Sequence, residues 1–147
     1  MKWIFYLLPL LAGMCMATQS GINSQLKITI NNAWNTVLVS FFIGFVAILF
    51  IVLVSKQPIP DFKLLQSVPL YQYLGGLLGV CFVSIAIVSA PVIGAAPMFA
   101  LIIGGQLLAA LCFDHFGLIG FKTNPISLIK VVGILMVIAG AYLIIKK

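Results

Sequence analysis

Gln19, Asn23, Gln106, Asp114 and His115 are the side chains of this 147-residue sequence best placed for chemistry, because each interrupts or closes an apolar run. In hydrocarbon a polar group needs a partner or a water-lined cavity. Gln19 and Asn23 are four residues apart and share one face of a helix, with Thr18 beside them. On the same helix Gly13, Ala17 and Gly21 form a stripe of small residues, which at about 100° per residue lies roughly 200° from Gln19. One side of that helix can approach a neighbour closely while the other presents amides. The amides then either line a cavity or act as interhelical glue. Further along, Gln106, Ala110, Phe113 and Asp114 fall within about 100° of arc, with amide and carboxylate about 12 Å apart along the axis. Asp114 is one of only two acids in the chain. A carboxylate bordering hydrocarbon, with His115 beside it, is a candidate proton or cation site. The alternative is that Asp114 caps a turn and pairs with His115 or Lys122 in the headgroup layer.

Chemistry of other kinds finds no residues. There is one histidine, no Ser/His/Asp arrangement and no cluster with metal-ligand spacing. Gly75-Gly76 is not followed by the Lys-Ser/Thr of a phosphate loop. The expectation is a protein that is not an enzyme and holds no cofactor or metal. Cys15, Cys81 and Cys112 all lie in apolar runs without a CxxC pair, and read as small packing residues.

The elements that must position these residues follow from composition. Hydrophobic residues make up 63% of the chain and charged residues 7%, with a mean hydropathy of +1.27. A soluble domain carries roughly 25% charged residues, so the solvent for most of this surface is the lipid bilayer. A span needs about 20 residues to cross hydrocarbon about 30 Å thick. Five apolar stretches meet that need, at residues 3–21, 34–54, 73–90, 94–113 and 128–145. The fold class predicted is all-α: one integral membrane bundle of five helices. Residues 22–33 read as a polar connection and residues 55–69, with Pro58, Pro60 and Pro69, as a restrained aqueous loop. The uncharged break at residues 90–97 reads as a tight hairpin or a kinked re-entry. Residues 114–125 form the last loop, and Lys130 can snorkel from the start of the final span. Gly75 with Gly79, and Gly133 with Gly140, are further positions for close helix packing.

Lys2 ahead of residues 3–13 resembles a signal peptide, but no small-x-small cleavage site follows and four more spans do. The net charge of +6 comes from eight lysines spread along the chain, without the basic cluster that nucleic acid requires. With the N-terminus cytoplasmic, Lys2, Lys56, Lys63, Lys122 and Lys130 share that side, against Lys27, Lys146 and Lys147 on the other. Five against three is a weak positive-inside bias, open both to a fixed orientation and to insertion both ways.

The order of several motifs resembles one known family. Gly13, Gln19 and Asn23 lead the first span, and Ser40 with Gly44 marks the second. Gly75-Gly76 with Gly79 opens the third. Ala90-Pro91, Gly94-Ala95-Ala96, Gly105-Gln106 and Asp114-His115-Phe116-Gly117 then follow in turn. Over essentially the whole chain this looks like the YdcZ-like five-span branch of the drug/metabolite transporter superfamily. The resemblance implies a multi-pass protein of the bacterial plasma (inner) membrane and half of an inverted-repeat transporter. It would pair with an antiparallel second copy or with a homologous five-span chain. It also implies a midplane site for an unidentified small molecule, for which Gln19, Asn23, Ser40 and Gln106 are the substrate-binding candidates. Small multidrug exporters of that superfamily use a first-span glutamate for proton coupling, and this chain has no glutamate at all. Unless Asp114 substitutes, a neutral or zwitterionic substrate or facilitated passage fits as well as proton-coupled cation export. The competing functions are a non-transporting assembly subunit and, last, a small channel, for which no ring of charges exists.

Overall fold

The computed structural model describes residues 4–146 and is 85% helical, with no strand among those residues. In chain order the helices are α1 (Ile4–Ile30), α2 (Ala33–Val54), α3 (Phe62–Ser67), α4 (Leu74–Ile93), α5 (Ala95–Phe116) and α6 (Leu128–Ile145). All but the six-residue α3 are long and apolar enough to cross a membrane, as the composition required. Lys2 and Lys147, which enter the lysine count, and Trp3, where the first run begins, lie outside the described residues. The chain divides into two compact units, Met1–Pro91 and Val92–Lys147.

In the first unit, α1 outruns the apolar stretch that announces it. The hydrophobic run ends near Gly21, but the helix continues to Ile30 through residues read from the sequence as a connection. Gln25, Leu26 and Lys27 are good helix formers and no proline stands between Gly21 and Asn31, so polarity here marks a change of surroundings rather than a change of backbone. The helix is stopped by Asn31, which takes φ 57° and sends its N–H to the Lys27 carbonyl at 2.8 Å. Asparagine enters this left-handed region more readily than most side chains do. Asn32 then caps α2, its Oδ1 accepting the Asn35 N–H at 2.9 Å. Two adjacent asparagines therefore make the whole α1–α2 connection. Asn32→Ala is expected to cost about 1 kcal/mol, read as a lowered unfolding midpoint in detergent, whereas Asn32→Ser should retain most of the stability.

Helix α4 packs on α2 through Val37, Val83 and Ile87, flanked by Ala33, Val80 and Phe82. The ring of Phe41 lies 3.6 Å from where a Gly79 Cβ would stand. Gly79 is thus the position of the sequence-predicted packing set where close approach is made within the chain. At Gly13, Gly21, Gly75, Gly133 and Gly140 an added Cβ would meet nothing within 4 Å, and Ala17 is exposed. The loop after α2 is more ordered than an aqueous tether. Asp61, the second acid, caps α3 by accepting the Lys63 N–H, and the Tyr73 hydroxyl donates to the Leu65 carbonyl at 2.6 Å.

The break at residues 90–97 reduces to a single residue. Helix α4 runs through Pro91 to Ile93, and only Gly94 (φ 89°, ψ 155°) leaves the helical region before α5 begins. Pro97 is the third residue of α5, where an N–H would have no intrahelical acceptor, so the ring breaks no bond. In the second unit α5 and α6 pack together. Helix α5 reaches Phe116, three residues beyond the apolar run, and closes on Gly117 at φ 62°. Asp114 and His115 therefore occupy its last turn rather than the following loop. Ser127 caps α6, and the Lys130 ammonium donates to the carbonyls of Asn124 and Pro125, at 3.1 Å each. Large apolar side chains such as Phe42, Phe50, Leu135 and Leu143 are exposed along the spans, which is the surface a bundle offers to lipid rather than to water.

Candidate substrate groove

The functional candidates of the first unit are built on α1, the least apolar of the five spans. A hydroxyl inside a helix usually satisfies itself by donating to the carbonyl one turn back. Thr18 does so to Met14 at 2.9 Å, Thr36 to Asn32 at 2.8 Å and Ser84 to Val80 at 2.7 Å. Ser20 and Ser24, one turn apart on α1, do not: their hydroxyls are buried without a partner. Nor does Asn23, which is only 4% exposed and whose amide nitrogen donates to nothing. A buried donor left unmade costs about 1–3 kcal/mol, so this turn of α1 holds unspent hydrogen-bonding capacity.

An open groove of about 530 Å³ runs along α1 and is closed on one side by Ser40 and Ile43 of α2. Thr18, Gln19, Asn23 and Ser40 supply its polar lining, Cys15 adds a thiol, and the remaining lining side chains are aliphatic or methionine. Among the described residues, no charged or aromatic side chain borders it. On its other flank Asn23, with Gln19 and Ser20, faces Phe82, Val83, Ala86 and Ile87 of α4 across a void of only about 10 Å³.

Three of the four substrate candidates read from the sequence, Gln19, Asn23 and Ser40, thus border the same groove. Gln106 is exposed on α5 in the second unit. Ser20 and Ser24 were missed because serine in a helix ordinarily back-bonds, as Thr18 does. Their only sequence signal is the spacing of four, legible once α1 is known to continue past Gly21. The cysteines are free and exposed, not packed, and Cys15 lies in the groove because it stands one turn before Gln19.

The Asp114–His115 pair is organised differently from either expected pairing. His115 accepts the Ile126 N–H on Nδ1 at 3.2 Å, which leaves its Nε2 as the ring donor. The Asp114 carbonyl accepts from the Asn124 N–H at 2.7 Å, and among the described residues the Asp114 carboxylate makes no ion pair with Lys122. The rings of Phe113 and Phe121 stack with centroids 6.3 Å apart. Together with Lys130, these contacts tie residues 121–127 back to the ends of α5 and α6. His115→Phe is expected to loosen this loop by about 1 kcal/mol, seen as faster amide exchange at Ile126 with α1 and α2 unaffected.

Five helices long and apolar enough to span and an exposed apolar surface define the class as a multi-pass helical membrane protein, with a largely apolar groove between α1 and α2 that carries a few neutral polar groups. The family model described as "Putative inner membrane exporter, YdcZ" matches residues 4–143, and the chain belongs to that family. It is accordingly a multi-pass protein of the bacterial inner membrane. Comparison with curated proteins and with solved structures returned no significant match.

Proposed function

We propose that this chain moves a small drug- or metabolite-type molecule across the inner membrane as one half of an antiparallel dimer. The substrate is held near the midplane in the groove bordered by Gln19, Asn23 and Ser40. The observation that carries this reading is the buried, unpartnered amide of Asn23 on the wall of an open groove. Its chemistry is binding and release, with no catalytic step and no cofactor. Gln106 is a further polar candidate on α5, and Asp114 with His115 a candidate proton or cation site. The inverted-repeat plan of the drug/metabolite transporter superfamily supports the dimer, as do the nearly balanced lysines. The open Gly13–Ala17–Gly21 stripe suits a helix contributed by a second copy or a paired homologous chain.

Two experiments test this. Flux screened in proteoliposomes should fall in Gln19→Leu and Ser40→Ala, and variants silent for every transported compound would remove the groove from the path. Topology reporters fused at the C-terminus should be active on both sides of the membrane. Activity on one side alone would overturn the antiparallel homodimer.

A further inference from the structure

The composition of the groove points to what it takes. Resting on the transport reading for its place in the path, we infer that its ligand is an uncharged amphiphile. Such a molecule has an apolar body and an acceptor oxygen, of the amide or carbonyl kind, that meets the exposed amide of Gln19 and, once the Asn23 side chain turns, that of Asn23. A cation would need a carboxylate or an aromatic face to replace its hydration. Neither acid of the chain is among the lining residues, Asp61 capping α3, and among the described residues no ring lines the groove. An anion would need a lysine, and the nearest on α1, Lys27, stands one turn beyond Asn23 and is not part of the lining. Bringing either ion against aliphatic walls and neutral amides costs more solvation than those amides return.

The neutral lining is also specific about hydrogen bonds. The Thr18 hydroxyl has given its proton to the Met14 carbonyl, so toward the groove it can only accept. Gln19 and Ser40 can donate or accept. Asn23 is the one polar lining residue that is both deeply buried and unpartnered, and what its nitrogen lacks is an acceptor. The void on its α4 side, about 10 Å³, is at the lower limit for a single water. That side has no room for an acceptor of the size of an amide or carbonyl group, and the nitrogen itself is shielded, so it meets a groove ligand when its amide turns toward the groove. The groove volume of about 530 Å³ suits a metabolite-sized molecule.

Cys15 makes the inference testable without knowing the natural substrate. With Cys81→Ser and Cys112→Ser in place, Cys15 is the only thiol, and its alkylation by N-ethylmaleimide in nanodiscs reports occupancy. Three probes share a six-carbon chain and differ in head group: N-hexylacetamide, hexyltrimethylammonium and hexanesulfonate. The amide should slow Cys15 labelling saturably while the two ions do not, and a control protein whose only thiol is Cys112 should be unprotected by all three. Asn23→Leu should raise the half-protecting amide concentration about fivefold, the worth of one neutral hydrogen bond. Gln19→Leu, at an exposed position, provides a second variant should Asn23→Leu not fold, and should weaken protection in the same direction. Protection by either ion as strong as by the amide would overturn the uncharged class while leaving the groove a binding site. Free labelling with no protection by any probe would overturn both the class and the transport reading. Labelling that appears only after denaturation would mean the groove is covered by a second copy, and would also overturn the inference.

Discussion

Asn23→Leu is expected to make the folded chain more stable and the transporter worse. The native asparagine is 4% exposed with its amide nitrogen unpartnered, so packing α1 against α4 encloses a donor that the separated helix could still offer to a lipid headgroup or another chain. Substituting an apolar side chain of similar length removes that penalty, for a gain of about 0.6 kcal/mol, the usual worth of one polar term between membrane helices. The larger leucine has room toward the open groove rather than toward the tight void at α4. If the same amide binds substrate, flux should fall by about tenfold, the upper end for one neutral hydrogen bond. Unfolding in nanodiscs and flux in proteoliposomes read the two effects separately. Opposite signs mark a binding group. A loss of stability in step with activity would instead make Asn23 interhelical glue, the reading the sequence alone left open.

The second large effect is expected at Ile87, which is fully buried among Val37 and Val83 and also borders the void beside Asn23. In a water-soluble core, truncating such a side chain to alanine costs 2–5 kcal/mol, of which part is transfer from water and part is the cavity left behind. Separated helices of a membrane protein remain in hydrocarbon, so the transfer part largely drops out and lost packing remains. Ile87→Ala is therefore expected to cost about 2 kcal/mol, near the low end of that range. Steric trapping in bicelles would measure it. Ile87→Val should recover most of the loss, and Val88→Ala, at an exposed position on the same helix, should change little. Equal losses at residues 87 and 88 would mean that α4 is not held to α2 through this cluster.

Much of this protein was legible without coordinates, for a definite reason. Hydrocarbon excludes charge so strongly that its absence over about 20 residues is a sufficient signal for a span. The stretches 34–54 and 128–145 accordingly coincide with α2 and α6 to within a residue. The same logic misplaces the other boundaries. Polarity marks where the membrane ends, but a backbone stays helical until a residue stops it. Helix α1 thus runs on to Asn31, α4 through Pro91 to Gly94, and α5 past Phe113 to Gly117. Asp114 and His115 read as loop residues for that reason and are helical.

The sequence by itself determined the solvent, the five spans, the family and the short list of polar residues in the spans. Each of these follows from side-chain chemistry summed over a window or matched in order. Only the tertiary structure decided which of those residues act together. Gln19, Asn23 and Ser40 meet because two asparagines fold α2 back along α1, and no periodicity within either helix encodes that meeting. It also separated the satisfied hydroxyls of Thr18, Thr36 and Ser84 from the unsatisfied groups of Ser20, Asn23 and Ser24. Hydrogen-bond satisfaction depends on what stands opposite a side chain in space, and a linear sequence carries no record of that.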